Sequence, residues 1–152
     1  PWTVGRYRTP EQAKRHAENE TKPDIAWTKE RGLEYLPVVF PGFSWHNLKK
    51  TQGVKAPLNQ IPRLGGSFLW TQAVAAKRAG AGMAYVAMFD EVDEGTAIFK
   101  CSNNPPVGDS KFITYEGLPA DHYLWLTGRI GDLMRSSNQQ SFAMPLRRQA
   151  PE

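Results

Sequence analysis

Continuous apolar runs alternate along this chain with longer segments whose apolar residues have helical spacing. The runs at 33–40 and 83–89 have the length of strands, and their lack of polar alternation indicates burial on both faces. Strands are also predicted at 2–7 and, briefly, at 112–115. Because parallel strands buried on both faces require helices around them, the pattern predicts an α/β fold.

Helices are predicted between these runs. Thr9 and Pro10 form a helix start, with Thr9 as the cap and Pro10 in the first turn. Pro23 is expected to break or kink that helix, because proline lacks an N–H and its ring clashes with the preceding turn. Further helices are predicted at 24–31, 68–79 and 120–135.

Strands that alternate with helices indicate βαβ units, and in barrels of such units the chemistry lies at the C-terminal ends of the strands. Three predicted strand ends carry polar and aromatic residues, at 5–7, 42–46 and 90–95. These segments are therefore the candidate functional region. The stretch from 43 to 66 is predicted to be a long loop, a feature often associated with function.

Composition and charge argue against several classes of function. The 152 residues are 40% hydrophobic and 22% charged, which is typical of a globular domain. The net charge of +4 comes from scattered basic residues, so no nucleic-acid surface is expected. No apolar run is long enough for a membrane helix, and no glycine-rich phosphate loop follows a strand. Cys101 is the only cysteine, which leaves neither an internal disulfide nor a zinc-binding spacing.

Four carboxylates occupy five positions directly after the run at 83–89: Asp90, Glu91, Asp93 and Glu94. Like charges this close raise one another's pKa values, so one carboxyl can stay protonated beside an ionised one. Glycoside cleavage uses such a pair, one as proton donor and the other as base or nucleophile. A solvated acidic loop is the alternative. Binding of a hard cation is a further alternative, although the spacing matches no calcium-loop pattern.

Aromatic and basic residues near the other strand ends are candidate substrate contacts. Trp45 is suited to stack on a sugar ring and His46 to bind a hydroxyl. Packing of Trp45 under its own loop and a surface position for His46 are equally consistent with the sequence. Arg63 is suited to orient a carboxylate through a bidentate bond or, alternatively, to anchor the loop. Arg6 and Tyr7 are predicted to line the same opening.

Residues 89–98 read FDEVDEGTAI, and three further motifs accompany them: PGF at 41–43, RLGGSFLW at 63–70 and YEGLPADHYLWLT at 115–127. Together they resemble glycoside hydrolase family 99, the endo-α-mannosidases, and related family 71/99-like proteins. The counterparts in that family are Phe-Asn-Glu-Trp-His-Glu-Gly-Thr-x-Ile, Pro-Gly-Tyr, an Arg-x-x-Gly-aromatic helix start and a Tyr-Leu-x-Leu-Thr helix. The chain also resembles bacterial proteins labelled xylosidase/arabinosidase.

The resemblance implies a fold, a reaction and residue roles. Residues 1–135 would be the C-terminal half of a (β/α)8 TIM barrel whose N-terminal half is absent, and residues 136–152 a flexible C-terminal tail. The implied reaction is hydrolysis of an O-glycosyl bond with retention, without metal or cofactor. Glu91 would act on the neighbouring 2-hydroxyl, and Glu94 as acid/base at the glycosidic oxygen. Only the family resemblance favours a periplasmic or secreted location.

Departures from the family motif surround the predicted sugar site. Val92 and Asp93 stand where the family has Trp-His, Asp90 where it has asparagine, and Phe43 where it has tyrosine. Phe43, Asp90 and Asp93 are therefore predicted substrate contacts. The sequence predicts a glycosidase for a polysaccharide or oligosaccharide, either xylosidase/arabinosidase-like or mannosidase-like. The alternative is a non-catalytic carbohydrate-binding protein on the same barrel.

Open sheet edges lead to an expectation about partners. Four strands cannot close a barrel, and unpaired edges invite association. The chain is expected to pair with the missing half of the barrel or to self-associate; by itself it is expected to be inactive or to dimerise into a barrel-like body. Apart from a carbohydrate, neither a nucleic-acid nor a membrane partner is expected.

Overall fold

Five α-helices and two short strands form the regular structure of residues 1–106, 108–137 and 141–147, the parts of the chain that the computed structural model describes. The helices are α1 (Pro10–His16), α2 (Lys22–Lys29), α3 (His46–Thr51), α4 (Ser67–Arg78) and α5 (His122–Arg135). The strands are β1 (Val38–Val39) and β2 (Tyr85–Val86). A π-helical turn at Ala17–Thr21 joins α1 to α2, and a 3-10 turn at Leu64–Gly66 precedes α4.

Strands β1 and β2 pair in parallel, with Val38 opposite Tyr85 and Val39 opposite Val86. Helix α4 connects them in sequence and packs against β1. This crossover confirms the predicted α/β class with parallel strands and flanking helices. The described sheet has two strands, so the complete barrel stays a prediction.

The sequence pattern overestimated the strands. Residues 2–7 form a turn instead, in which the N–H of Arg6 donates to the carbonyl of Thr3 and Gly5 has a φ of 84°. Residues 112–115 have no regular structure, and the N–H of Tyr115 donates to the side chain of Asn103. A strand requires a neighbouring backbone as a partner, which apolar content alone does not supply.

The first helical segment begins as predicted but does not end at Pro23. Thr9 caps α1, because its Oγ1 accepts a hydrogen bond from the N–H of Gln12 at 3.2 Å. Pro23 directly follows the π-helical turn and lies in the first turn of α2, a position at which proline is tolerated. The predicted break or kink therefore takes the form of a π-helical turn, and α2 extends to Lys29.

Two clusters of buried side chains hold these elements together. The larger lies between α4 and α5 and confirms that the predicted apolar faces of both helices point inward. Its members include Val39, Leu69, Val74, Tyr115, Tyr123, Leu126, Ile130 and Leu133. The smaller cluster lies near α1 and the start of α4, and includes Tyr7, Ala13, Phe40, Phe43, Ile61 and Phe68.

Residues 141–147, which the sequence assigned to a flexible tail, lie against the helices. The indole N–H of Trp70 donates to the carbonyl of Ser141. Arg147 forms a bidentate ion pair with Asp121, with N–O distances of 2.7 and 2.9 Å. The rest of that predicted tail, at 138–140 and 148–152, lies outside the described residues. Among the helices that are described, none has the length and apolar character needed to cross a bilayer.

Candidate functional site

The acidic segment lies in a loop, here called the acidic loop (residues 88–99), that closes on itself through backbone hydrogen bonds. At its base, the N–H of Met88 donates to the carbonyl of Thr96 at 3.1 Å, and the N–H of Phe99 donates to the carbonyl of Phe89 at 2.9 Å. Within it, the carbonyl of Glu91 accepts from the N–H groups of Thr96 and Ala97 at 3.1 and 3.0 Å. These bonds hold the acidic residues in one compact turn directly after β2.

Gly95 is required at the tip of this turn. Its φ is 68°, in the left-handed region that residues with a side chain rarely adopt. A Cβ at this position would lie 2.9 Å from Cγ1 of Ile113. The glycine therefore allows the loop to turn back and to pack against the 111–114 segment.

Two residues outside the acidic loop hold it against helix α3. The N–H of Ser44 donates to the carbonyl of Glu94 at 2.7 Å. The side-chain amide of Asn47, which is buried, donates to the carbonyl of Lys111 at 2.9 Å and to that of Asp93 at 3.4 Å. The segment that follows β1 and the acidic loop that follows β2 are therefore directly joined.

A groove of about 430 Å³ runs between α3 and the acidic loop. This volume lies within the range of small-ligand sites, about 300–1,000 Å³. The groove contains both glutamates that the sequence singled out. Its lining consists of Asn47, Leu48, Lys50, Thr51, Glu91, Asp93, Glu94 and Ser110.

The two glutamates differ in environment. Glu94 is half-buried, and this burial, together with the negative charges of Glu91 and Asp93, raises the pKa of its carboxyl. Glu91 and Asp93 are exposed to solvent at the groove. Among the ion pairs of the described residues, none includes a carboxylate of the acidic loop. The groove therefore combines a carboxyl that retains its proton to higher pH with a neighbouring carboxylate in water.

Phe43 and Trp45 pack beside the site rather than in it. Phe43 is buried and pairs through its backbone with Ile61, and its ring lies 4.5 Å from that of Trp45. Trp45 also lies against Gly5, where a Cβ would be 2.9 Å from the indole. Neither ring lines the glutamate groove, which agrees with the packing alternative for Trp45 and differs from its prediction as a stacking platform.

His46 faces a neighbouring groove that shares Lys50 of α3 with the first. Its Nδ1–H donates to the carbonyl of Ala56 at 2.7 Å. This second groove has a volume of about 610 Å³ and is also lined by Lys50, Lys55, Lys111 and Asp109. The structure thus places His46 next to the glutamate groove without making it part of the lining.

Arg63 anchors the acidic loop from its buried side and does not face the groove. Its side chain is only 1% exposed, and its Nη2 donates to the carbonyl of Ala97 at 2.8 Å. It forms no bidentate bond to a carboxylate within the described residues, because the acidic side chains lie on the outer surface of the loop. The anchoring alternative is the one that agrees with this geometry.

Arg6 and Tyr7 lie away from the acidic loop. They line a separate depression with Arg8, Gln12, Arg15 and His16. The hydroxyl of Tyr7 donates to Oε1 of Gln72 at 3.0 Å inside the smaller core cluster. The predicted strand at 2–7 would have directed these residues toward the site, and the turn that replaces it directs them elsewhere.

Sequence reasoning missed the residues of α3 that line the groove, because the 43–66 segment was predicted to be a loop. Asn47, Lys50 and Thr51 are spaced three and four residues apart and therefore lie on one face of the helix. That spacing was the available signal. It was weak, since the helix has six residues and no side-chain cap.

A metal site is not formed by the acidic residues that the structure describes. No group of three or more His, Cys, Asp or Glu side chains is arranged there to hold an ion. The acidic loop directs its carboxylates along a groove, whereas a hard cation requires six or more oxygens around one point.

Comparison with solved structures relates this arrangement to known proteins. The chain aligns with the GH99 endo-α-mannosidase from Bacteroides thetaiotaomicron in complex with BIS-TRIS-propane, at a TM-score of 0.63 and 24% identity. A second structure of that enzyme aligns at a TM-score of 0.60 and 22% identity. The described chain has part of the fold of a family 99 glycoside hydrolase.

The alignments cover 78% of this chain but only 36% and 34% of the two solved chains. The chain therefore spans about a third of the length of these structures. No family model matches the sequence, and no curated protein matches it. The resemblance predicted from the FDEVDEGTAI segment and its companion motifs is confirmed at the level of the family 99 fold.

Proposed function

We propose that this chain is the part of a glycoside hydrolase that carries the catalytic carboxylates. One observation supports the proposal most directly: Glu91 and Glu94 line the same groove, and the pKa of Glu94 is raised by burial and by its acidic neighbours. A carboxyl that keeps its proton beside a carboxylate is the pair that glycoside cleavage requires. The likeness to the mannosidase fold supports the same conclusion.

The proposed roles follow from the two environments. Glu94 donates its proton to the glycosidic oxygen, because its partial burial favours the protonated form. Glu91 takes the proton of the neighbouring 2-hydroxyl, whose oxygen bonds to C1 as the bond from C1 to the leaving oxygen breaks. In the second step Glu94 removes a proton from water, whose oxygen bonds to C1 as the bond from C1 to the 2-oxygen breaks, and Glu91 returns a proton to the 2-oxygen. One water is consumed, and the configuration at C1 is retained.

The substrate proposed is a polysaccharide or oligosaccharide, with xylosides, arabinosides and mannosides as the first candidates. The acidic loop differs from the family motif at Val92 and Asp93, which stand in place of a tryptophan and a histidine, and Asp93 lines the groove. These changes exchange an aromatic surface for a smaller apolar side chain and add a negative charge. We therefore expect the sugar preference to differ from that of an endo-α-mannosidase.

The test is hydrolysis of chromogenic xylosides, arabinosides and mannosides by the protein at its natural length. Glu94→Gln keeps the shape of the side chain but cannot transfer a proton, so kcat is expected to fall by about 10²–10⁴-fold. Glu34→Gln is the matched control, because Glu34 is exposed and outside the groove. Equal activity of Glu94→Gln and Glu34→Gln would remove the basis for the proposal.

The second candidate is a carbohydrate-binding protein without turnover. It is favoured by the replacement of the family's Trp-His at Val92 and Asp93, next to both glutamates. Its signature would be saturable glycan binding by calorimetry that Glu94→Gln leaves unchanged, with no product formed over the same panel. Release of reducing sugar by the unmodified protein would exclude it.

The rest of the catalytic body is proposed to come from additional polypeptide. This chain spans about a third of the solved mannosidase structures, and its sheet has two described strands. The edges of these strands are the surfaces on which further barrel strands, or a second copy of the chain, would pair.

A further inference from the structure

Arg63 is a buried cation that has no carboxylate partner within the described residues. Its side chain is 1% exposed, and its guanidinium carbon lies 4.9 Å from the ring centre of Tyr115 and 4.4 Å from that of Tyr123. Burial lowers the pKa of Arg63, since the charged form loses its hydration. Burying a charge without an ion-pair partner is unfavourable, so a residue of this kind usually serves a specific purpose.

The hydrogen bonds of this cluster converge on the carbonyls of Ala97 and Phe99, in the last residues of the acidic loop. Nη2 of Arg63 donates to the carbonyl of Ala97 at 2.8 Å, and the hydroxyl of Tyr115 also approaches that carbonyl, at 3.1 Å. The same hydroxyl bonds to the carbonyl of Phe99. Arg63 and Tyr115 together therefore hold the final residues of the acidic loop from the buried side.

The other side of the same residue, its backbone N–H, connects Ala97 to the proposed catalytic residues. The N–H of Ala97 donates to the carbonyl of Glu91 at 3.0 Å, and Glu94 lies three residues before Ala97. Glu91 makes no side-chain ion pair within the described residues, so its position depends on the backbone that carries it. A continuous series of hydrogen bonds thus leads from Arg63 to the base of Glu91.

We propose that Arg63 and Tyr115 are positioning residues that set the spacing of Glu91 and Glu94 by fixing the backbone at Ala97. The proposal rests on the catalytic role proposed above for the two glutamates. A charge-assisted bond to a carbonyl is stronger than a neutral one. The buried guanidinium also lies against the T-shaped pair of Tyr115 and Tyr123, whose ring centres are 4.7 Å apart, which leaves it little freedom to move. The loop therefore remains ordered although its outer side chains are in water.

Arginine is suited to this role for a geometric reason. The planar guanidinium contacts both tyrosine rings and presents one N–H to Ala97 in a fixed geometry, which the compact ammonium of lysine on its flexible stem cannot reproduce. The side chain also runs beneath Gly42, where an added Cβ would lie 2.9 Å from Cγ of Arg63 and 2.8 Å from the carbonyl of Ile61. The arginine stem is thus fixed at one end by the turn after β1 and at the other by Ala97.

The experiment compares Arg63→Lys and Tyr115→Phe with Tyr35→Phe in the protein at its natural length. Tyr35→Phe is the matched control, because it also removes one tyrosine hydroxyl, which here bonds to Asp24 far from the acidic loop. Small displacements of catalytic groups lower turnover by up to about 100-fold. We expect Tyr115→Phe and Arg63→Lys to lower kcat by about 10- to 100-fold, with little change in KM.

Two readouts that do not depend on turnover accompany the kinetics. Carboxyl NMR titration is expected to shift the pKa of Glu94 in Tyr115→Phe, and amide exchange at Ala97 is expected to accelerate. These readouts test the proposal even if the protein hydrolyses no glycoside, in which case the proposed function fails and the positioning role is judged separately. If Arg63→Lys does not fold, Tyr115→Phe alone tests the positioning role.

The proposal is overturned if Tyr115→Phe behaves like Tyr35→Phe in all three measurements. A fall in melting temperature alone, with Glu94 titration and Ala97 exchange unchanged, would show that Arg63 and Tyr115 stabilise the fold without positioning the glutamates.

Discussion

At the scale of the residue, Glu94 shows how position changes the chemistry of a common side chain. Four carboxyls lie within five positions, but burial and the adjacent acids raise the pKa of Glu94. Arg63 shows the opposite outcome, since a residue expected at a substrate contact is buried beneath the acidic loop. Both properties depend on how deep each side chain lies, which the local sequence does not specify.

The raised pKa of Glu94 has a consequence for stability. The folded protein holds this proton more tightly than the unfolded chain, so the contribution of Glu94 to stability falls as pH rises from its ordinary pKa of 4.5 through the folded-state value. Glutamine carries no charge at any pH. Glu94→Gln is therefore expected to gain stability relative to the unmodified protein between pH 4 and pH 7.

Urea unfolding of both proteins at pH 4 and pH 7 measures this effect, and Glu34→Gln provides the control for loss of an exposed carboxyl. The stability of Glu94→Gln relative to the unmodified protein should increase from pH 4 to pH 7. A relative stability that decreases over this range would contradict the assigned environment of Glu94.

At the scale of the element, the turn before α4 brings the two main helices together. Gly66 has a φ of 98°, and a Cβ there would lie 2.6 Å from Cδ2 of Leu126 on α5. The preceding Gly65 makes two further hydrogen bonds. Its N–H donates to the carboxylate of Glu116, and its carbonyl accepts from Nε2 of His122 at 3.0 Å. The close approach of α4 to α5 therefore depends on this turn.

Gly66→Ala is expected to destabilise the protein by about 2–4 kcal/mol, combining an unfavourable left-handed backbone with overpacking against α5. Gly82→Ala is the matched control, because its φ is not positive and no atom would lie within 4 Å of the new Cβ. Chemical denaturation measures the difference. If Gly66→Ala lowers the free energy of unfolding no more than Gly82→Ala does, the close approach of α4 to α5 does not depend on Gly66.

At the scale of the whole molecule, apolar side chains remain exposed near the two-stranded sheet. Leu33 and Leu36 precede β1, Tyr85 lies in β2, and Phe89, 59% exposed, follows β2. Exposed apolar side chains next to open strand edges favour association with another polypeptide. This surface agrees with the expectation that the chain pairs with more of a barrel or with itself.

A polypeptide of residues 1–152 is expected to self-associate and to lack glycosidase activity. Size exclusion with light scattering gives the mass, and Phe89→Ser should shift it toward the monomer by removing the most exposed of these aromatics. Trp27→Ser is the control, since Trp27 is 54% exposed but lies on α2 away from the strands. A monomer with full activity would refute this expectation.

The sequence by itself determined the features that depend on neighbouring residues. Apolar periodicity located α4 and α5, Thr9 and Pro10 located the start of α1, and the acidic segment after an apolar run located the candidate carboxylates. These signals are local, because helix spacing, capping and charge clustering involve residues within a few positions of each other.

The tertiary structure alone decided which of those residues face one groove and which are buried. Asn47 bonds to Asp93 of the acidic loop across 46 residues and to Lys111 across 64, and Arg63 bonds to Ala97 across 34 residues. The lengths of β1 and β2 likewise depend on which backbone lies beside them. Burial and long-range hydrogen bonding result from the packing of distant segments, so no local pattern contains them.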